Sequence, residues 1–179
     1  MITKFDDFKN DNLKMPDPGF NTDIVSDEFW KMVKIANWNA VIQGYKKNPI
    51  INDKHREFFK KAQYRVYSKY SYPEVRQFRN ECNLIEKKLY DYFKFVWLSK
   101  KYNKIMPSDD GYTDLISSIV GKGKTFVKRI LQDPKIFLQM AKDEDYAESF
   151  IYLFGSEDVY HEIREKYDPF YKEMRKYNL

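Results

Sequence analysis

One cysteine, two histidines, six glycines and seven prolines in 179 residues leave several kinds of protein out of reach. Cys82 has no second thiol with which to form an internal disulfide or share a metal, so the chain requires neither an oxidising compartment nor a zinc knuckle. It is expected in the core, where free cysteine is most at home. His55 and His161 are too few and too far apart for a histidine-rich metal centre, and each reads as a helix-surface residue. So little glycine and proline disfavours a sandwich or barrel of many short strands and tight turns. No apolar run approaches the ~20 residues of a membrane span. The N-terminal "MITKFDDFKNDNLKMPDPGF" lacks the apolar centre of a secretory signal. The expectation is a cytoplasmic protein with no metal and no cofactor.

What is present is aromatic and charged. Aromatic residues make up 18% of the chain, with 15 Tyr and 14 Phe, and supply bulky core side chains whose polar tips reach the core's edge. A chain of this length buries roughly two-thirds of its unfolded surface in one domain without staples. The net charge of +5 is unevenly spread. Residues 46–104 carry 16 basic and 6 acidic side chains, whereas residues 105–179 carry 11 and 14. The positive middle is suited to an acidic partner or to the chain's own acidic C-terminal third.

Periodicity points to helices. Residues 1–25, with Pro16, Pro18 and Gly19, show no sustained period and read as an extended arm, which Phe5, Phe8 and Phe20 can pin to the body. Ser26 suits an N-cap, and one helix is expected from there to Gly44, apolar on two faces. A second runs from Asn52 or Asp53 to Tyr70. A long one runs from Pro73 to Leu98 along Val75, Phe78, Cys82, Ile85, Leu89, Tyr92 and Val96. Its apolar end "LYDYFKFVWL" is expected to be enclosed by protein. Shorter helices are predicted at 111–120, 124–131, 134–141, 145–154 and 158–167, with Pro169 as a stop. The sum is an all-α single domain over 26–179, a helical bundle with a long central helix and a cap of short C-terminal helices.

Two stretches invite a functional reading. "GKGKT" ends in the Gly-Lys-Thr of a phosphate-binding loop, but Ser118 stands where that motif needs its first glycine, and "DLISSIV" before it has a helical pattern instead of a buried strand. Punctuation between two helices fits better. The second is "DKHREFFKKAQYRVYSKYSYPEVRQFR". Here Lys54, Lys61, Arg65 and Lys69 recur at helical spacing, Arg76 and Arg79 follow, and Tyr64 and Tyr67 lie among them. Tyrosines between cations can stack on bases while the cations meet phosphates. The plainer reading is a solvated basic face.

"PSDDGYTDL" reads as a helix start, with Ser108 as cap and Asp109, Asp110 and Asp114 complementing the dipole. Together with the Phe29-Trp30 pair, Ser108, Asp109, Asp110, Gly111, Tyr112, Ile119, Val120, Gly123, Phe126, Asp133 and Pro134 resemble the S-D-D-G-F … L-I … G … D-P-D pattern of a bacterial family of unknown function, whose members sometimes accompany a WGR domain. Leu115 and Ile116 replace that pattern's F-R pair, and Lys135 replaces its last acid. The resemblance implies a helical domain, carries no established activity and assigns no catalytic residue.

No nucleophile elbow, metal cluster or complete phosphate loop is visible, so the leading expectation is a non-enzymatic protein-binding domain, a bacterial regulator or an immunity-type protein. The alternatives are a nucleic-acid-binding accessory protein using the basic tyrosine-rich helix, and an enzyme with carboxylate chemistry at residues such as Asp109 and Asp110.

Overall fold

The computed structural model describes residue 13 and residues 15–47, 53–147 and 150–177, with the side chains of residues 53–56 outside that description. Its α-helices are α1 Asp27–Ala36, α2 Trp38–Lys47, α3 Asp53–Tyr67, α4 Tyr72–Trp97, α5 Asp109–Gly121, α6 Lys124–Gln132, α7 Lys135–Lys142, α8 Glu157–Tyr167 and α9 Pro169–Lys176. Single 3-10 turns lie at Thr22–Ile24 and Phe150–Leu153, and there is no strand among the described residues. The all-α bundle read from the sequence is the fold observed, with α4 its longest helix.

Several helices begin where short polar side chains satisfy the first free N–H groups. Ser26 Oγ accepts from Phe29 N at 3.0 Å, and Ser156 Oγ accepts from Val159 N at 3.4 Å. Ahead of α4 the Glu74 carboxylate reaches back to accept from Ser71 N at 2.7 Å.

Three expectations need correction, and a fourth, Pro169 as a stop, holds but is incomplete. The helix predicted from Ser26 to Gly44 is two helices, because Asn37 adopts a left-handed conformation (φ 52) that ends α1 before α2 begins. Asparagine enters that region more readily than most residues. The helix expected at 145–154 is replaced by an irregular run through Ala147 and the 3-10 turn; residues 148 and 149 lie outside the described residues. Buried Ser118 binds that run, accepting from Ala147 N at 3.1 Å, and so draws the backbone away from helical pairing. Pro169 ends α8 and also opens α9, its missing N–H costing nothing at a first helical position. Finally, the end of α4 is enclosed on one side only: Phe93 and Val96 are buried, whereas Phe95 and Leu98 are 46% and 62% exposed. One face of this helix packs on the body and the other meets solvent.

Helices α3 and α5 organise the core. α3 packs against α1, α2, α4 and α8, and α5 packs against α1, α2, α4 and α6. Trp38 fills the space near the α2–α5 contact, edge-on to Phe59 and Phe150, with its Nε1 3.4 Å from Ser118 Oγ. Phe93 of α4 stacks on Phe137 of α7 with centroids 4.3 Å apart. Each such fully buried side chain contributes about 1.5–3 kcal/mol relative to exposure. From the segment read as an arm, Phe20 meets Tyr92 edge-on and Val25 is buried, while Phe5 and Phe8 lie outside the described residues.

Candidate functional site

The basic tyrosine-rich segment divides between α3, the short turn after it and the start of α4. Its side chains do not act as one surface. Arg65 turns inward, donating from Nε at 3.2 Å and Nη2 at 2.6 Å to the carbonyl oxygen of Ala36, the last residue of α1. That oxygen is one of the carbonyls a helix end leaves unpaired. Burial lowers the guanidinium's pKa.

Tyr67 is fully buried, its hydroxyl donating to Leu153 O at 2.6 Å and accepting from Gly155 N at 2.9 Å. Burial pushes that hydroxyl up to about 12. Its ring packs on Tyr160, so it has no face left for a base. Tyr64 is half-buried against Tyr167.

The acidic C-terminal third neutralises part of α3. Lys60 meets Glu162 at 3.5 Å, and Glu57 takes Lys166 at 3.0 Å and the Tyr167 hydroxyl at 2.5 Å. Lys61, Lys69, Arg76 and Arg79 stay exposed with no ion pair among the described residues. The side chain of Lys54 lies outside the described residues, as does that of His55. His161 on α8 is half-buried, with Nδ1 2.6 Å from the Tyr171 hydroxyl.

The Ser108–Tyr112 motif is a helix start. Ser108 Oγ accepts from Gly111 N at 3.3 Å, while the exposed Asp109 accepts from Asp110 N at 3.0 Å. Gly111 is required because a Cβ there would lie 2.7 Å from Pro107 Cβ. Tyr112 is an anchor: fully buried, it stacks on Trp97 at 4.8 Å and donates to Tyr90 O at 2.6 Å. Among the described residues no group of three or more His, Cys, Asp or Glu is placed to hold a metal ion.

"GKGKT" joins α5 to α6, with no strand before it. It borders an open cavity of about 350 Å³ against Trp30, Lys34 and Asn37. Its cations are already committed. Lys122 donates to Asp145 at 2.9 Å, and Lys124 pairs with Asp23 at 3.0 Å and Asp27 at 2.8 Å.

Two features escaped the sequence reading. The first is a carboxyl at the α4–α5 contact: Glu86 accepts from Ser117 Oγ, and from Cys82 Sγ at 3.3 Å, while Ser117 Oγ also accepts from Ile151 N at 3.3 Å. Burial raises Glu86 to about 7, against the lowering by its two donors, and nearby Asp114 adds to the rise. Cys82 and Ser117 are fully buried, and burial also raises the thiol's pKa well above its usual value. The arrangement therefore holds helices together and offers no accessible nucleophile.

The second is the outer face of α4. Arg76, Arg79, Lys87 and Lys94 are exposed there with no ion pair among the described residues, next to exposed Leu84, Phe95 and Leu98. The recurrence of Arg76, Asn83, Lys87 and Lys94 at steps of seven, four and seven is the signal in the sequence, overshadowed by the stronger apolar stripe of the same helix.

No family model matches the chain, and neither the curated proteins nor the solved structures contain a match.

Proposed function

We propose that this chain is a non-enzymatic protein-binding domain of the regulator or immunity type. The observation that carries the reading is the outer face of α4, where exposed apolar side chains stand beside cations that form no ion pair among the described residues. Apolar anchors bordered by charge are what a protein interface combines, the anchors supplying affinity and the charges steering the encounter. The likeness of Ser108–Asp133 to a family without known activity is compatible with this reading and adds no role. The test is affinity capture of the tagged protein from the cells that encode it, with and without nuclease. A stoichiometric protein that survives nuclease is the expected result, and recovery of nucleic acid alone overturns it.

A second reading, a nucleic-acid-binding accessory protein, is favoured by one observation: Lys61, Lys69, Arg76 and Arg79 are exposed and form no ion pair among the described residues. It predicts that K61E/K69E/R76E weakens binding to a single-stranded RNA oligonucleotide at low salt and flattens its salt dependence. Unchanged affinity in that variant rules it out.

A further inference from the structure

We propose that the outer face of α4 is the docking site for an acidic amphipathic helix of a partner protein. This rests on the protein-binding reading above and adds the chemistry of the partner.

The geometry of one helix sets the pattern. At about 100° per residue, Arg76, Lys87 and Lys94 fall within about 20° of one another, forming one straight rail. Leu84 and Phe95 lie together about 80–100° round from Arg76, Leu98 lies between them and the rail, and Lys88 borders the far side. The buried line from Val75 through Cys82 and Leu89 to Val96 is on the opposite side. From Arg76 to Leu98 the exposed strip is about 33 Å long, or about six turns. A partner of comparable helical length can lay apolar residues against Leu84 at one end and against Phe95 and Leu98 at the other. Strand addition, the other common way to bind an extended segment, needs a sheet edge, and there is no strand among the described residues.

Charge selects the partner's composition. Arg76, Arg79, Lys87, Lys88 and Lys94 are without ion pairs among the described residues. The acids that might have balanced them are occupied: Glu81 accepts from Ser26 N and Oγ at 2.8 Å, and Glu74 is held by Ser71. One exposed acid, Asp91, lies between the rail and the apolar strip. The fitting helix therefore carries Glu or Asp along its flanks and one Lys or Arg opposite Asp91. Nucleic acid fits less well, because Leu84 and Leu98 have no flat face to stack on a base and Asp91 repels phosphate in mid-strip. A second copy pairing antiparallel would set Arg76 against Lys94, cation on cation.

The test is photo-crosslinking inside the cells that encode the protein. A benzophenone amino acid is placed singly at Asn80, Leu84, Phe95 and Leu98, and as a second set at Tyr152, Phe170 and Tyr177. The expected result is a protein adduct from the α4 set, whose crosslinked peptide is net acidic and apolar at helical spacing. The adduct should fall at least tenfold in R76E/K87E/K94E while the melting curve is unchanged. If that variant fails to fold, K87Q/K94Q serves with a smaller expected loss. Protein adducts from the second set alone overturn the α4 site and leave the protein-binding reading standing. Nucleic-acid adducts at Leu84 or Phe95, adducts to a second copy, or a captured peptide that is neutral or basic overturn the proposed partner. Absence of protein adducts at every position overturns both the site and the protein-binding reading.

Discussion

The guanidinium of Arg65 grips the carbonyl of Ala36, 29 residues earlier, with two hydrogen bonds. A residue whose spacing advertises a basic surface instead closes the end of α1, at the point where Asn37 turns the chain into α2. Arg65→Met should cost about 1.5–3 kcal/mol, the range for hydrogen bonds to charged groups. Arg65→Lys should recover only part of it, since an ammonium lacks the planar fork. Urea denaturation checks both; a methionine variant as stable as the wild type would show that the contact is dispensable.

Tyr67→Phe keeps the ring and removes the hydroxyl that serves both Leu153 O and Gly155 N. Leaving the Gly155 N–H without its partner should cost about 1–3 kcal/mol. For a chain of this size that lowers the melting temperature by about 2–4 °C per kcal/mol. Calorimetry reads it, and binding through the exposed face of α4 should be unaffected in the same variant.

Glu86 makes stability fall as pH rises. Its carboxyl is raised in the fold to about 7 from an ordinary value of 4.5, so the native state holds a proton that the unfolded chain has released. Its contribution is complete below about 4.5 and is lost progressively as pH passes through about 7, a change on the order of 3 kcal/mol. Urea midpoints between pH 5 and 8 should decline in the wild type, whereas Glu86→Gln should flatten this component and be the more stable protein at pH 8. Parallel curves for the two proteins would contradict the assignment.

Two glycines of the α5–α6 link are needed for different reasons. A Cβ on Gly121 would lie 2.5 Å from the Trp38 ring, whereas Gly123 has open space but a φ of 97 that side chains rarely adopt. Gly121→Ala should cost about 1–3 kcal/mol through overpacking and shift the tryptophan emission. Gly123→Ala should cost a similar amount through backbone strain while leaving that emission unchanged. Equal spectral shifts in both variants would refute the distinction.

Much of the fold was readable because it depends on neighbours in sequence. The stripe from Val75 to Val96 marks α4 because those residues share one face of any helix. Ser26 and Ser108 cap their helices through bonds to residues three positions on. What the sequence hid depends on distant partners. Nothing local distinguishes Tyr67 in the core from Tyr64 at its margin, since only the arrival of Leu153 and Tyr160 decides which is covered. Glu86 looks like a solvated acid beside the α4 stripe until Ser117 of α5 encloses it. The break at Asn37 was missed because apolar spacing runs straight through it, and asparagine alone does not demand a turn. The exposed strip on α4 was legible as periodicity. That its cations form no ion pair among the described residues depends on the fold, in which Glu162 and Glu57 pair with Lys60 and Lys166 instead.

The end of α3 has a bearing on the order of events during synthesis. Its last carbonyl and the turn that follows are satisfied from α8: Arg164 Nη1 donates to Tyr67 O at 2.6 Å, and the Tyr160 hydroxyl donates to Tyr70 O at 2.9 Å. Those donors leave the ribosome more than 90 residues after α3, so at about 5–20 residues per second the nascent helix waits several seconds or more with its last turn unfinished. During that interval the inward tyrosines of α3 lack their cover, and transiently uncovered apolar surface of this kind is what chaperones act on.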